Sequence, residues 1–191
     1  MKHNIAIFGG SFDPIHQGHV EMAKQSREIA NLTRVIFLPC NQSPHKPSSP
    51  VASSKDRAEM IQIALRGMSW AAPSLWECHR QPPSYSWMAA EHFHSVFPSS
   101  ELFWILGEDQ WSSIHTWSNP TRLAELLTFI VFPRGKELVE KPGFRSLFIN
   151  ASHQASSSKT RDFLANNKPT KDLLNKDVAA YIKAHQIYAP K

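Results

Sequence analysis

The sequence predicts an α/β fold, a doubly wound parallel sheet closed by a C-terminal helical segment. Two observations carry this expectation. Short apolar, β-prone runs alternate with longer stretches of helical spacing through most of the chain, and a crossover between parallel strands needs about a dozen residues, usually taken as a helix. At the end of the chain that alternation stops, and two helical stretches follow one another with no strand between them.

In chain order, the apolar run at residues 4–8 predicts the first strand and the helical spacing at 18–30 the first helix. Strands are then expected at 34–38, 74–78, 101–106, 127–132 and 146–150, from their short β-prone runs. Helices are expected between them at 53–68, 84–96 and near 119–126, and in the tail at 157–166 and 171–185. Residues 42–54 form the clearest loop, because Pro44, Pro47 and Pro50 withhold backbone donors and fix local φ. A loop of that length is expected to be functional or mobile. A length of 191 residues with 41% hydrophobic content suits one compact domain with a genuine core. The expectation is one domain over 1–191, an α/β core at 1–152 and a helical segment at 153–191.

Composition narrows the function classes. The longest apolar stretches fall far short of the roughly 20 residues that a spanning helix needs, so no membrane partner is expected. The N-terminus runs directly into the first strand without the apolar region and cleavage site of a signal peptide, which points to a cytoplasmic protein. Cys40 and Cys78 are too few for a disulfide scaffold and lack the close spacing of a zinc site, so both are expected to be ordinary thiols. The net charge is +5, but the 21 basic residues are scattered and form no long run. A small anionic substrate accounts for that pattern as well as a nucleic acid does, and no nucleic-acid partner is expected.

The sharpest feature is GGSFDPIHQGH at residues 9–19, directly after the first strand and opening into the first helix. Ligands of doubly wound sheets bind at that place. Gly9 and Gly10 let the backbone approach a phosphate closely, and the helix offers N-terminal amides and the positive end of its dipole to an anion. Neither the Gly-Lys-Ser/Thr ending of a P-loop nor G-x-G-x-x-G spacing is present. His16 and His19, three apart at a helix start, are placed to donate to one phosphate from the same side. Taken alone, such a pair more often bonds backbone or water. A zinc site lacks a third ligand at close spacing.

The whole run resembles the (H/T)-x-G-H signature loop of the nucleotidylyltransferase superfamily, whose fold is Rossmann-like. Its G-G-S/T-F-D-P-x-H form is similar to that of the bacterial nicotinate-nucleotide adenylyltransferases. The resemblance implies that His16 and His19 hold the ATP phosphates and stabilise charge at the α-phosphorus, with Gly9, Gly10, Ser11 and Phe12 lining the nucleotide path. Residues 39–46, PCNQSPHK, resemble the family segment ending in Pro-His-Lys/Arg. By that resemblance Lys46 reaches the phosphates, and His45 and Asn41 lie near the mononucleotide phosphate. Cys40 stands where relatives often have Asn.

Further matches follow in family order. Pro83-Ser84-Tyr85-Ser86 resembles the P-S-Y-T element that seats a pyridine carboxylate, with Ser86 in place of Thr; read by itself it is a helix start capped by Ser84. Gly107-Glu108-Asp109 resembles the G-x-D element that holds ribose, a task suited to a carboxylate because it accepts two hydrogen bonds. Without that context Asp109 reads as a helix cap. Thr116-Trp117 matches a T-W pair whose ring stacks near the pyridine, although Trp117 equally suits a half-buried packing role. Arg134, after the fifth strand, is a further candidate contact to the mononucleotide. Ser156, Ser157 and Ser158, with Arg161 one turn in, resemble the I-S-S/A-T-x-I-R signature, a cradle of hydroxyls, amides and charge for the β- and γ-phosphates. Ala155, Ser158 and Thr160 depart there from the family's Ile, Thr and Ile.

The resemblance implies in-line attack by the phosphate of nicotinate mononucleotide on the ATP α-phosphorus, with pyrophosphate leaving, as a step of NAD biosynthesis. His16, His19, Lys46 and Arg161 supply charge and position, and Mg²⁺ is bound through the ATP phosphates rather than by a carboxylate cage. Self-association into a homo-oligomer stays open. Rival readings are transfer to nicotinamide mononucleotide, phosphopantetheine or glycerol phosphate, a non-catalytic nucleotide sensor, and, ranked last, an RNA-binding module.

Overall fold

The structure is a computed structural model, which describes residues 3–44, 48–135, 139–150 and 155–189. Its centre is a sheet of β1 (His3–Gly10), β2 (Arg34–Pro39), β3 (Ala71–Pro73), β4 (Ser100–Gly107), β5 (Leu127–Phe132) and β6 (Arg145–Phe148). The strand order is β3-β2-β1-β4-β5-β6, and every pairing is parallel. The chain winds outward in one direction from β1 and in the other from β4. Their carboxyl ends therefore flank the crevice where loops diverge and ligands bind.

The inner strands β1, β2, β4 and β5 carry long apolar runs because both faces are covered. On one face Ala6, Phe8, Val35, Phe37 and Ile105 pack with Ala23 of α1 (Gln17–Ile29), Met60 and Ile61 of α2 (Ser54–Ala64) and a C-terminal helix. On the other, Ile5, Ile7, Leu38, Trp104 and Phe129 meet Ala89, Ala90 and Phe93 of α3 (Ser86–Val96). Trp111 of α4 (Glu108–Ser112) and Leu123 of α5 (Pro120–Leu126) complete that layer. The tail contributes α6 (Ser157–Ala165) and α7 (Lys176–Ala184), the latter burying Val178 and Ile182 against the first face. Among the described residues no helix is long and apolar enough to cross a membrane.

One strand lies elsewhere than the sequence suggests. The run at 74–78 is a turn, and the third strand is the preceding Ala71–Pro73. The backbone fixes this edge: Val35 N–H donates to the Trp70 carbonyl (2.9 Å) and Ser74 N–H to the Phe37 carbonyl (2.8 Å). Pro73 is tolerated because an edge strand need not donate on its outer side. Leu75, part of the apolar signal, is exposed. The expected helix at 53–68 ends at Ala64, ahead of a turn with Gly67 at φ +80°. The one expected at 171–185 begins only at Lys176, where the Asn175 side chain accepts the Asp177 N–H at 2.8 Å. The short α4 and the 3-10 turn Ile114–Thr116 stand where no helix is expected.

Candidate active site

β1 delivers Gly9 and Gly10 to the crevice. A Cβ at Gly9 would lie 2.5 Å from Trp104 Cζ2, inside any carbon–carbon contact, so the close approach of the loop to the sheet requires glycine. Phe12 then takes φ +48°, a left-handed conformation costing a non-glycine residue about 1–3 kcal/mol. Its buried ring offsets this by edge-on packing against Phe8 and His19, with centroids at 5.4 and 4.9 Å.

His16 is the N-cap of α1, and its ring stacks on that of His19 at 3.6 Å with an interplanar angle of 21°. The His16 backbone N–H donates to His19 Nδ1 at 3.2 Å. With Nδ1 accepting, the proton of a neutral His19 ring sits on Nε2, which becomes its donor. The helix start thus combines two imidazoles with the amides of a dipole end, a combination suited to an anion.

The cradle at the start of α6 is tied directly to this loop. Ser157 Oγ donates to the Pro14 carbonyl (3.1 Å), and Arg161 Nη1 donates to the Asp13 carbonyl (2.6 Å) and lies 3.7 Å from its carboxylate. Ser156 caps α6 by accepting the Lys159 N–H. Two motifs at opposite ends of the chain therefore face one volume.

That volume is a cleft of about 420 Å³. Its lining includes Gly9, Gly10, Ser11, Phe12, His16 and His19, then Ser156, Ser157, Ser158 and Arg161, and also Gly107, Asp109 and Arg134 with Tyr85, Ser86 and Trp117. Asn41 does not line it; its Nδ2 donates to the Arg80 carbonyl (3.0 Å), and its backbone N–H to Ser84 Oγ (3.0 Å). Ser84 is accordingly not the cap of α3, whose N-cap is Tyr85. Asp109 sits inside the first turn of α4 rather than capping it, 3.3 Å from Arg134 Nη1, while buried Glu108 accepts the Arg134 N–H at 2.7 Å. His45 and Lys46 lie outside the described residues.

Sequence reasoning assigned no role to four residues in or behind the cleft wall, Asp13, Tyr188, Arg57 and Glu77. Asp13 is buried in the cleft lining; the carboxylate accepts the N–H groups of Val51 (2.8 Å) and Ala52 (3.0 Å) and the hydroxyl of Tyr188 (2.6 Å). Arg57, 1% exposed, donates from Nη1 to the carbonyls of Ser11 (2.8 Å) and Cys40 (2.7 Å), joining the phosphate loop to the end of β2. A visible signal existed for Arg57: it shares the buried stripe of α2 with Ile61 and Ala64 at helical spacing, an unusual place for a cation.

Glu77 is the fourth, a buried carboxyl on the cleft wall. Burial pushes it up to about 7, against the opposing pull of a Ser84 hydrogen bond and of Arg80 and Arg57. The folded protein therefore keeps this proton at pH values where the unfolded chain has released it. Stability is expected to fall as pH rises from about 4.5 through 7, by on the order of 3 kcal/mol, and to level off above. Denaturant midpoints across pH 5 to 8 measure this, and in Glu77→Gln that part of the pH dependence should vanish.

Comparison with known proteins places the chain. The family model described as cytidylyltransferase-like matches residues 7–172. A probable nicotinate-nucleotide adenylyltransferase of Methylacidiphilum infernorum is 38% identical, the match covering 97% of this chain and 92% of the relative. One of Bacillus licheniformis is 31% identical over 96% and 97%. Among solved structures, Plasmodium falciparum nicotinic acid mononucleotide adenylyltransferase complexed with NaAD superposes with a TM-score of 0.82 at 22% identity, over 97% of each chain. At that identity the likeness is one of fold.

Proposed function

The chain belongs to the nicotinate-nucleotide adenylyltransferases of the cytidylyltransferase-like family, and from that premise we propose that it transfers the adenylyl group of ATP to nicotinate mononucleotide, releasing pyrophosphate. The observation that carries the reading is the direct bonding of the histidine loop to the α6 cradle, through Ser157 to Pro14 and Arg161 to Asp13, within one cleft. Two phosphate-binding helix starts side by side suit a triphosphate better than a single phosphate.

An oxygen of the acceptor phosphate attacks the α-phosphorus, a new P–O bond forms, the bond to the β-phosphate bridge breaks, and pyrophosphate departs with the electron pair. No protein nucleophile takes part. His19 and His16 hold the charge developing on the α-phosphoryl oxygens, and Arg161 with the Ser156–Ser158 hydroxyls and amides holds the leaving pyrophosphate. Asp109 accepts from the ribose hydroxyls of ATP. Tyr85, Ser86 and Trp117 form the pyridine subsite and Arg134 meets the mononucleotide phosphate; on sequence alone Lys46 is assigned to the phosphates and His45 to the mononucleotide phosphate, while Asn41, held by Arg80 and Ser84 outside the cleft lining, is not assigned a contact. Among the described residues no group of three or more His, Cys, Asp and Glu is arranged to hold a metal ion. Mg²⁺ would be bound through the ATP phosphates, whose charge it would neutralise.

The test supplies ATP and Mg²⁺ with nicotinate mononucleotide, nicotinamide mononucleotide, phosphopantetheine or glycerol phosphate in separate reactions, following pyrophosphate release and the mass of the product. Release is expected with nicotinate mononucleotide above all others. Release with phosphopantetheine or glycerol phosphate alone would keep the phosphate site and discard the pyridine subsite; release with nicotinamide mononucleotide alone would keep both and discard the preference for the carboxylate; no release with any would leave a nucleotide-binding protein without this activity.

A further inference from the structure

The C-terminal tail reaches the phosphate loop through one side chain. After α7 the chain turns, with Ile187 N–H donating to the Ile182 carbonyl, and Tyr188 follows at φ +63°. That left-handed conformation costs a non-glycine residue about 1–3 kcal/mol. The ring is buried in the core, and its hydroxyl donates at 2.6 Å to Asp13 Oδ1. Burial and the adjoining Asp13 carboxylate hold the phenol above its ordinary range, so it remains a donor.

Asp13 is where this contact gains meaning. It stands inside the histidine loop, next to the left-handed Phe12, and its carboxylate gathers Val51 and Ala52 from the loop before α2 as well as the tail. Its own carbonyl accepts from Arg161. Asp13 thus joins the tail and the loop before α2, through its carboxylate, to the residue whose carbonyl holds Arg161 of the α6 cradle. We propose that Tyr188 is a positioning residue for the triphosphate site, its hydroxyl fixing Asp13 so that the histidine loop and the start of α6 keep the spacing that bound ATP bridges. This rests on the reading that ATP occupies the cleft.

A matched control is built into the tail. Tyr181 OH also donates to a carboxylate, Asp56 Oδ1 at 3.0 Å, but Asp56 belongs to the first turn of α2 and does not line the cleft. Tyr188→Phe and Tyr181→Phe each delete one hydroxyl-to-carboxylate bond and keep the ring. Binding of a non-hydrolysable ATP analogue with Mg²⁺ is measured by calorimetry on the full chain and both variants, alongside Tm and the KM values for ATP and acceptor. Tyr188→Phe is expected to weaken analogue binding and raise the ATP KM about tenfold while the acceptor KM stays put. Tyr181→Phe should leave both unchanged. Wild-type binding in Tyr188→Phe, or an equal loss in both variants, would overturn the proposal. If the wild-type chain binds the analogue yet turns over no acceptor, the proposed reaction fails and the comparison of variants still decides the role of Tyr188. A wild-type chain that binds no ATP analogue would overturn both.

Discussion

Replacing His19 with alanine is expected to lower turnover by 10² to 10³ while the protein stays folded, the typical consequence of removing one prepositioned donor from a developing charge. The geometry makes the substitution informative in a second way. His19 Nδ1 already receives the His16 N–H, so part of the side chain's work is to close the helix start. His19→Asn keeps an acceptor for that N–H and lacks the Nε2 donor. If His19 acted only as a cap, Asn would restore turnover; as a phosphate ligand it should be as slow as alanine. Pyrophosphate release at saturating ATP and nicotinate mononucleotide, with Tm for each variant, separates the cases. Near-normal turnover in either variant would remove His19 from the chemistry.

The parts of the molecule that could be read ahead of the structure are those written in local patterns. β1, β2, β4 and β5 were legible because burial on both faces leaves uninterrupted apolar runs. The histidine loop was legible because its residues act within one turn of each other. β3 was not: Ala71-Ala72-Pro73 carries no β-branched residue, and the strand exists because β2 offers it an edge. The five-residue α4 is too short for a periodic signal. Asp13 and Tyr188 escaped for a different reason. Their partners come from distant segments, Tyr188 meeting Asp13 across nearly the whole chain, and such pairings leave no spacing to read. Asp13 stood in full view within the loop motif, yet only the fold shows that its carboxylate faces three backbone and side-chain donors rather than solvent.

Arg161→Ala is expected to cost on the order of 10² in kcat/KM, and Arg161→Lys to recover only part of it. One guanidinium nitrogen is committed to Asp13, and the fork keeps further donors for an anion in the cleft it lines. Lysine restores the charge but not two directed bonds at once, so it cannot hold both the Asp13 carbonyl and a phosphate oxygen in the same geometry. The alanine variant thus removes two things, a charge facing pyrophosphate and a strut between α6 and the histidine loop. A double-mutant cycle with Tyr188→Phe separates them, because Tyr188 acts only through Asp13. If Arg161 also positions the loop through Asp13, the penalty of Tyr188→Phe on ATP binding should shrink well below tenfold once Arg161 is alanine. If Arg161 contributes charge alone, the two penalties should multiply.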